Sequence, residues 1–146
     1  MKILIVVDNY SDRNIHFLYD AYSQELIKKG YDLKFLQPQN DFKLIKKKKI
    51  MYEIESFDPF FIHIGPKGKF TELVRNLCIN MELDFTTLCI NPLEVPDHKS
   101  IFDYFLKKDF FHKHSFSVLA LSDRIKEKLN KCDIKARKWM PGVNTE

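Results

Sequence analysis

Four short stretches carry side chains suited to chemistry at a ligand. Asp8 and Asn9, followed by Arg13, combine groups that hydrogen-bond sugar hydroxyls with a cation that attracts an anion. His63 precedes Gly65, Lys67 and Gly68, which sets an imidazole beside a loop whose amides can approach a ligand closely. Asn91 offers a side-chain amide, and Ser122 a hydroxyl just ahead of a helical pattern. Glu94, Asp97 and His98 group two acids with an imidazole, but their spacing fits no metal-ligand pattern, so neither a metal nor a cofactor is expected. Each stretch also has a plainer reading. His63 can be a satisfied histidine beside a turn, Asp8 and Asn9 can cap the first helix, and Ser122 can cap its own.

Positioning these residues requires an ordered scaffold, and the composition supplies the material for one. The 146 residues suffice for one domain, and 45% of them are hydrophobic, including 13 phenylalanines. Disorder is excluded on that ground. The net charge of +4 is concentrated around Lys46–Lys49 and Lys107–Lys113, patches that suit phosphates or a lipid surface, or that are simply solvated. No nucleic-acid partner is expected. Cys78, Cys89 and Cys132 are odd in number and lack metal-ligand spacing; they read as reduced, structural thiols of a cytoplasmic protein. The apolar run at the N-terminus ends at Asp8, too short for a signal segment or a membrane span.

Hydrophobic periodicity predicts strands over Ile3–Val7, Tyr31–Leu36, Phe60–Ile64, Phe85–Ile90, Ser117–Leu121 and Lys135–Trp139. Between them it predicts helices over Asn14–Lys29, Phe42–Glu55, Lys69–Met81, Lys99–Lys113 and Asp123–Lys131. Such alternation implies right-handed crossovers and a mainly parallel sheet of about six strands: a Rossmann-like, three-layer α/β sandwich. Ligands of such sheets sit outside the carboxyl ends of the strands, where Asp8–Arg13, His63–Lys69, Ile90–Pro96 and Ser122 fall. The loop Asp8–Arg13 has no glycine, which excludes a GxGxxG dinucleotide site, and no Walker A motif is present.

Three segments carry a resemblance: IHIGPKGKFTELVRNLCINMELDFTT, FHKHSFSVLALSDRIKEKL and KWMPGVNTE. Taken in order, they resemble the N-terminal domain of family-four glycosyltransferases, two-domain (GT-B) enzymes that include bacterial mannosyltransferases and sulfoquinovosyl-type transferases. The sharpest element is Gly142-Val143-Asn144-Thr145-Glu146, which in the family runs on into the second domain. The resemblance implies half of a retaining transferase, binding the acceptor and lining the cleft. Its partners would be a C-terminal sugar-nucleotide domain in cis or trans, a nucleotide sugar, and a sugar or lipid acceptor. On this reading the second domain is absent from the chain, and the isolated chain is expected to be inactive. Two departures weaken catalysis. Ser11-Asp12-Arg13-Asn14 replaces the family's Gly-Gly loop, and Ile90 stands where the family has its active-site histidine. An isoleucine neither donates a hydrogen bond nor takes a proton. A non-catalytic binding or regulatory subunit is the alternative.

The stretch IFDYFLKKDFFHKH alternates aromatics with lysines. As an interfacial helix it would turn Lys107, Lys108 and Lys113 toward an anionic membrane, at the inner face. As a sheet cover it would bury the aromatics and leave the lysines solvated. The sequence leaves both readings open.

Overall fold

The computed structural model describes residues 1–38, 47–97 and 110–138. Within them the chain runs β1 (Lys2–Val6), α1 (Arg13–Lys28), β2 (Asp32–Leu36), α2 (Lys47–Phe57), β3 (Phe61–Ile64) and α3 (Lys69–Asn80). It continues through β4 (Thr86–Cys89), a 3-10 turn (Pro92–Glu94), β5 (Ser117–Ala120), α4 (Asp123–Lys131) and β6 (Ala136–Lys138). The six strands form one sheet in the order β2-β1-β3-β4-β5-β6, and every pairing is parallel. The expected Rossmann-like α/β architecture is therefore present.

Local chemistry sets the element ends. The Asp12 side chain opens α1 by accepting from Asn14 N (2.9 Å) and Ile15 N (3.4 Å), satisfying amides with no intrahelical partner. Gly30 follows α1 with φ +89°, a left-handed conformation that only glycine adopts at no steric cost. The Ser122 hydroxyl accepts from Ile125 N (3.3 Å) and opens α4, as its position ahead of the helix predicts.

Paired residues on neighbouring strands share a face. The registers Val6↔Ile64, Ile64↔Thr87 and Thr87↔Val118 trace one face. Here Ile50 and Ile54 of α2 and Phe70, Val74 and Leu77 of α3 pack on Leu4, Val6, Ile62 and Ile64. Ile125 and Leu129 of α4 pack on Cys89, Val118 and Ala120. The registers Ile5↔His63, His63↔Thr86 and Thr86↔Ser117 trace the opposite face, where Leu18 and Tyr19 of α1 cover Ile3, Ile5, Val7 and Leu88. Burial on both faces explains why β1 reads as an unbroken apolar run rather than an alternation.

Several expectations lie outside the described residues: the start of the Phe42–Glu55 helix, His98, most of Lys99–Lys113 with Lys107 and Lys108, and Trp139 through Glu146. Lys113 is exposed and sits in a turn, not in the helix expected there; its amide donates to Phe110 O (3.0 Å). No described helix is long and apolar enough to cross a membrane.

Candidate functional site

The order β2-β1-β3 means that the chain leaves β1 toward one edge for β2 and reaches β3 on the other side of β1. Such a reversal opens a crevice at the carboxyl ends of the two central strands. Asp8 follows β1, and Gly65 to Gly68 follow β3, so these residues stand at the carboxyl ends of the two strands.

Asp8 is committed within the protein. Its Oδ1 accepts from Thr71 N at 3.0 Å, across 63 residues of chain, at the start of α3. The Thr71 hydroxyl accepts from Gly68 N (2.8 Å) and lies 3.0 Å from Pro66 O, to which it donates. Free helical amides and the positive end of the helix dipole attract anions, and here an internal carboxylate takes that place. The loop amides expected to face a ligand are thus partly turned inward. A Cβ at Gly68 would fall on the Asp8 carboxylate, so this glycine is required by close approach, its φ of −160° being open to any residue.

That contact makes a measurable prediction. Gly68→Ala should expel the Asp8 carboxyl from α3 and cost about 1–2 kcal/mol, the usual worth of a helix cap. Asp8→Ala should cost a similar amount. The double variant should be little worse than either single one, because both remove the same interaction. Additive losses in urea melts would contradict this account.

His63 does not line the crevice. It is buried, with Nε2 2.8 Å from Tyr19 Oη and Nδ1 2.8 Å from Thr86 Oγ1. Burial lowers its pKa to about 3, so the ring is neutral at ordinary pH. Burial also pushes the Tyr19 phenol upward. The Cβ position of Gly65 is 3.0 Å from Tyr19 Oη and 3.1 Å from Val6 O, which leaves little room for a larger residue.

The remaining expected residues occupy the rim. Asn9 and Lys67 are exposed, and Asn9 Oδ1 accepts from Ser11 N (3.0 Å). Arg13 is exposed at the first turn of α1, and Ser122 caps α4. Asn91 is exposed and opens the 3-10 turn by accepting from Leu93 N (3.0 Å). Beside it, Ile90 is 42% exposed and Leu93 72% exposed. Both aliphatic side chains thus stand exposed on either side of Asn91 after β4.

One cluster falls outside the residues singled out from sequence. The Cys89 thiol, at the end of β4, donates to Asn91 O (3.4 Å) and to Glu94 Oε2 (3.4 Å). His112 Nε2 lies 3.4 Å from the same Glu94 oxygen, and its Nδ1 lies 2.7 Å from Thr87 Oγ1. Cys89 and His112 are buried, and the Glu94 side chain is 17% exposed. Burial, followed by the charge and hydrogen bond of Glu94, raises the thiol to about 12. Burial alone would raise Glu94, but the hydrogen bonds and charges around it, His112 foremost, bring its carboxyl below the ordinary value. The sequence grouped Glu94 with Asp97 and His98. The available signal was strand parity, which puts Thr87 and Cys89 on one face, with His112 a few residues ahead of the neighbouring β5.

No family model and no curated protein matches the chain. Among solved structures it is similar to an ABC transporter solute binding protein from Bacillus halodurans C-125 with bound myo-inositol. The two share 10% identity over 94% of this chain and 75% of the other, with a TM-score of 0.44.

Proposed function

We propose that the chain serves as the acceptor-side half of a family-four, GT-B-type glycosyltransferase, binding the acceptor and lining the cleft opposite a sugar-nucleotide domain supplied in cis or trans. The ordered motif series from Ile62 to Glu146 supports this reading, and the parallel α/β fold is compatible with it. The observation that carries it is the exposure of Ile90 and Leu93 beside Asn91 after β4, with Asn9 and Lys67 exposed in the loops after β1 and β3. An acceptor sugar on an apolar aglycone would meet both kinds of surface there. Transfer requires a nucleotide sugar held across the cleft, so this chain by itself binds without turning over.

A non-catalytic binding subunit derived from such a domain is favoured by one observation. Ile90 occupies the position that the resemblance gives to a histidine, and its exposed side chain cannot exchange a proton.

The test is a titration of the isotopically labelled chain with alkyl glycosides, read by amide NMR. Shifts should concentrate at Asn9, Lys67, Ile90, Asn91 and Ser122, and a nucleotide sugar given alone should remain unconsumed. Shifts confined to other faces, or steady sugar transfer by this chain unaided, would overturn the proposal.

A further inference from the structure

Cys89, Glu94 and His112 bring three potential metal-ligating atoms together at the end of β4. One donor atom from each residue lies within 4.8 Å of the other two. A charge-assisted N–H···O bond closes to about 2.7–2.9 Å. The His112 Nε2 to Glu94 Oε2 distance is 3.4 Å, and Cys89 Sγ stands 3.4 Å from the same oxygen. Ligands on a tetrahedral zinc ion, with metal–oxygen and metal–nitrogen bonds near 2.0 Å and metal–sulfur near 2.3 Å, stand roughly 3.3–3.5 Å apart. The two separations at Glu94 Oε2 match edges of such a tetrahedron, and the third pair lies within 4.8 Å.

The surroundings fit as well. The 2.7 Å contact of His112 Nδ1 with Thr87 Oγ1 allows Nδ1–H to donate there, which aims the Nε2 lone pair at the cluster. Metal-binding imidazoles are usually fixed in this way by a partner on the other nitrogen. The His112 ring also makes edge-on contacts with the Phe110 ring (6.4 Å, 62°) and the Phe111 ring (5.0 Å, 83°). Two cations act on the trio, Lys128 on Cys89 and Lys67 on Glu94. Lys128 donates to Pro92 O (2.8 Å), which ties its ammonium to the 3-10 turn. They oppose a dication, while a thiolate and a carboxylate together cancel its charge.

We infer that Cys89 Sγ, Glu94 Oε2 and His112 Nε2 form a zinc-binding site at the carboxyl end of β4, with a water in the fourth position. A sulfur, imidazole and carboxylate set selects zinc among abundant divalent ions over magnesium or calcium, which prefer oxygen. Binding releases the thiol proton to solvent and leaves the thiolate on the metal. The ion then joins β4, the 3-10 turn and the segment ahead of β5. This inference does not rest on the glycosyltransferase reading and departs from the absence of metal expected from sequence.

The chain is stripped with chelator, dialysed and titrated with zinc chloride, and separately with cobalt(II). One equivalent of zinc should bind and raise the melting temperature by roughly 5–10 °C at hundredfold excess over Kd. Cobalt should give a thiolate charge-transfer band and the intense visible bands of a tetrahedral site. Cys89→Ser should abolish the thiolate band, and Cys132→Ser should keep it. Glu94→Gln, at a partly exposed position that tolerates an amide, should remain folded by circular dichroism and bind zinc at least about tenfold more weakly. Failure of the wild-type chain to take up an equivalent, a thiolate band that survives Cys89→Ser, or a Glu94→Gln chain that is folded and binds as tightly as wild type would each overturn the inference.

Discussion

Replacing Arg75 by Met should lower the unfolding free energy by about 3 kcal/mol, more than most single substitutions. Arg75 projects from α3 and is buried at 4% exposure. Its Nε donates to Phe111 O (3.1 Å), its Nη2 to Phe110 O (3.2 Å) and its Nη1 to Asn76 Oδ1 (2.8 Å). The guanidinium fork thus holds two successive carbonyls of the segment that carries Phe111 into the core and His112 into the Cys89 cluster. Exchanging a buried charge for a hydrophobe can be neutral when the whole polar group is replaced. Here the acceptors remain, and each buried group left without its donor costs about 1–3 kcal/mol. Arg75→Lys should recover only part of the loss, because an ammonium cannot span both carbonyls with fixed geometry. Chemical denaturation of the three proteins measures this, and a Met variant within 1 kcal/mol of wild type would contradict the assigned role.

That segment also marks the boundary of what the sequence discloses. Elements governed by near neighbours were legible. The apolar run of β1, the amphipathic face of α3 and the Ser122 cap of α4 all lie within a residue or two of expectation. Their causes act over fewer than five residues: pleat, helical period and capping. The two decisive contacts of the candidate site act across the fold. Asp8 was expected at a ligand or at the first helix, but Asp12 caps α1, and Asp8 reaches α3 over 63 residues of chain. Only the parallel pairing of β1 with β3 brings them together. Cys89 and His112 likewise meet because β4 pairs with β5, and no short spacing encodes it. His112 was hidden further by an aromatic-basic pattern read as a helix through Lys113, whereas residues 110–114 form a turn held by Arg75. His63 shows the converse. Its place at the end of a strand was right, but the neighbouring α1 carries Tyr19 on the face that His63 shares, and the pair closes the polar group off from the crevice.

The buried state of His63 should make the protein acid-labile well above the range where carboxylates titrate. Its folded pKa, lowered by burial to about 3, lies below the ordinary 6.5. Between those values the unfolded imidazole binds a proton that the folded one excludes. Stability from this group is therefore complete above about pH 6.5 and falls as the pH drops toward about 3. The slope approaches about 1.4 kcal/mol per pH unit, so moving from pH 7 to pH 5 should remove about 2 kcal/mol through His63 alone. His63→Gln supplies the comparison. An amide can bond to Tyr19 Oη and Thr86 Oγ1 but does not titrate, so this variant should start less stable at pH 7 and lose about 2 kcal/mol less over the same interval. The difference between the two curves isolates His63, because every other side chain is common to both proteins. Urea unfolding at half-unit steps between pH 7 and 5 gives both curves. Parallel curves would mean that the imidazole is protonated inside the fold, with Tyr19 and Thr86 accepting from both ring nitrogens.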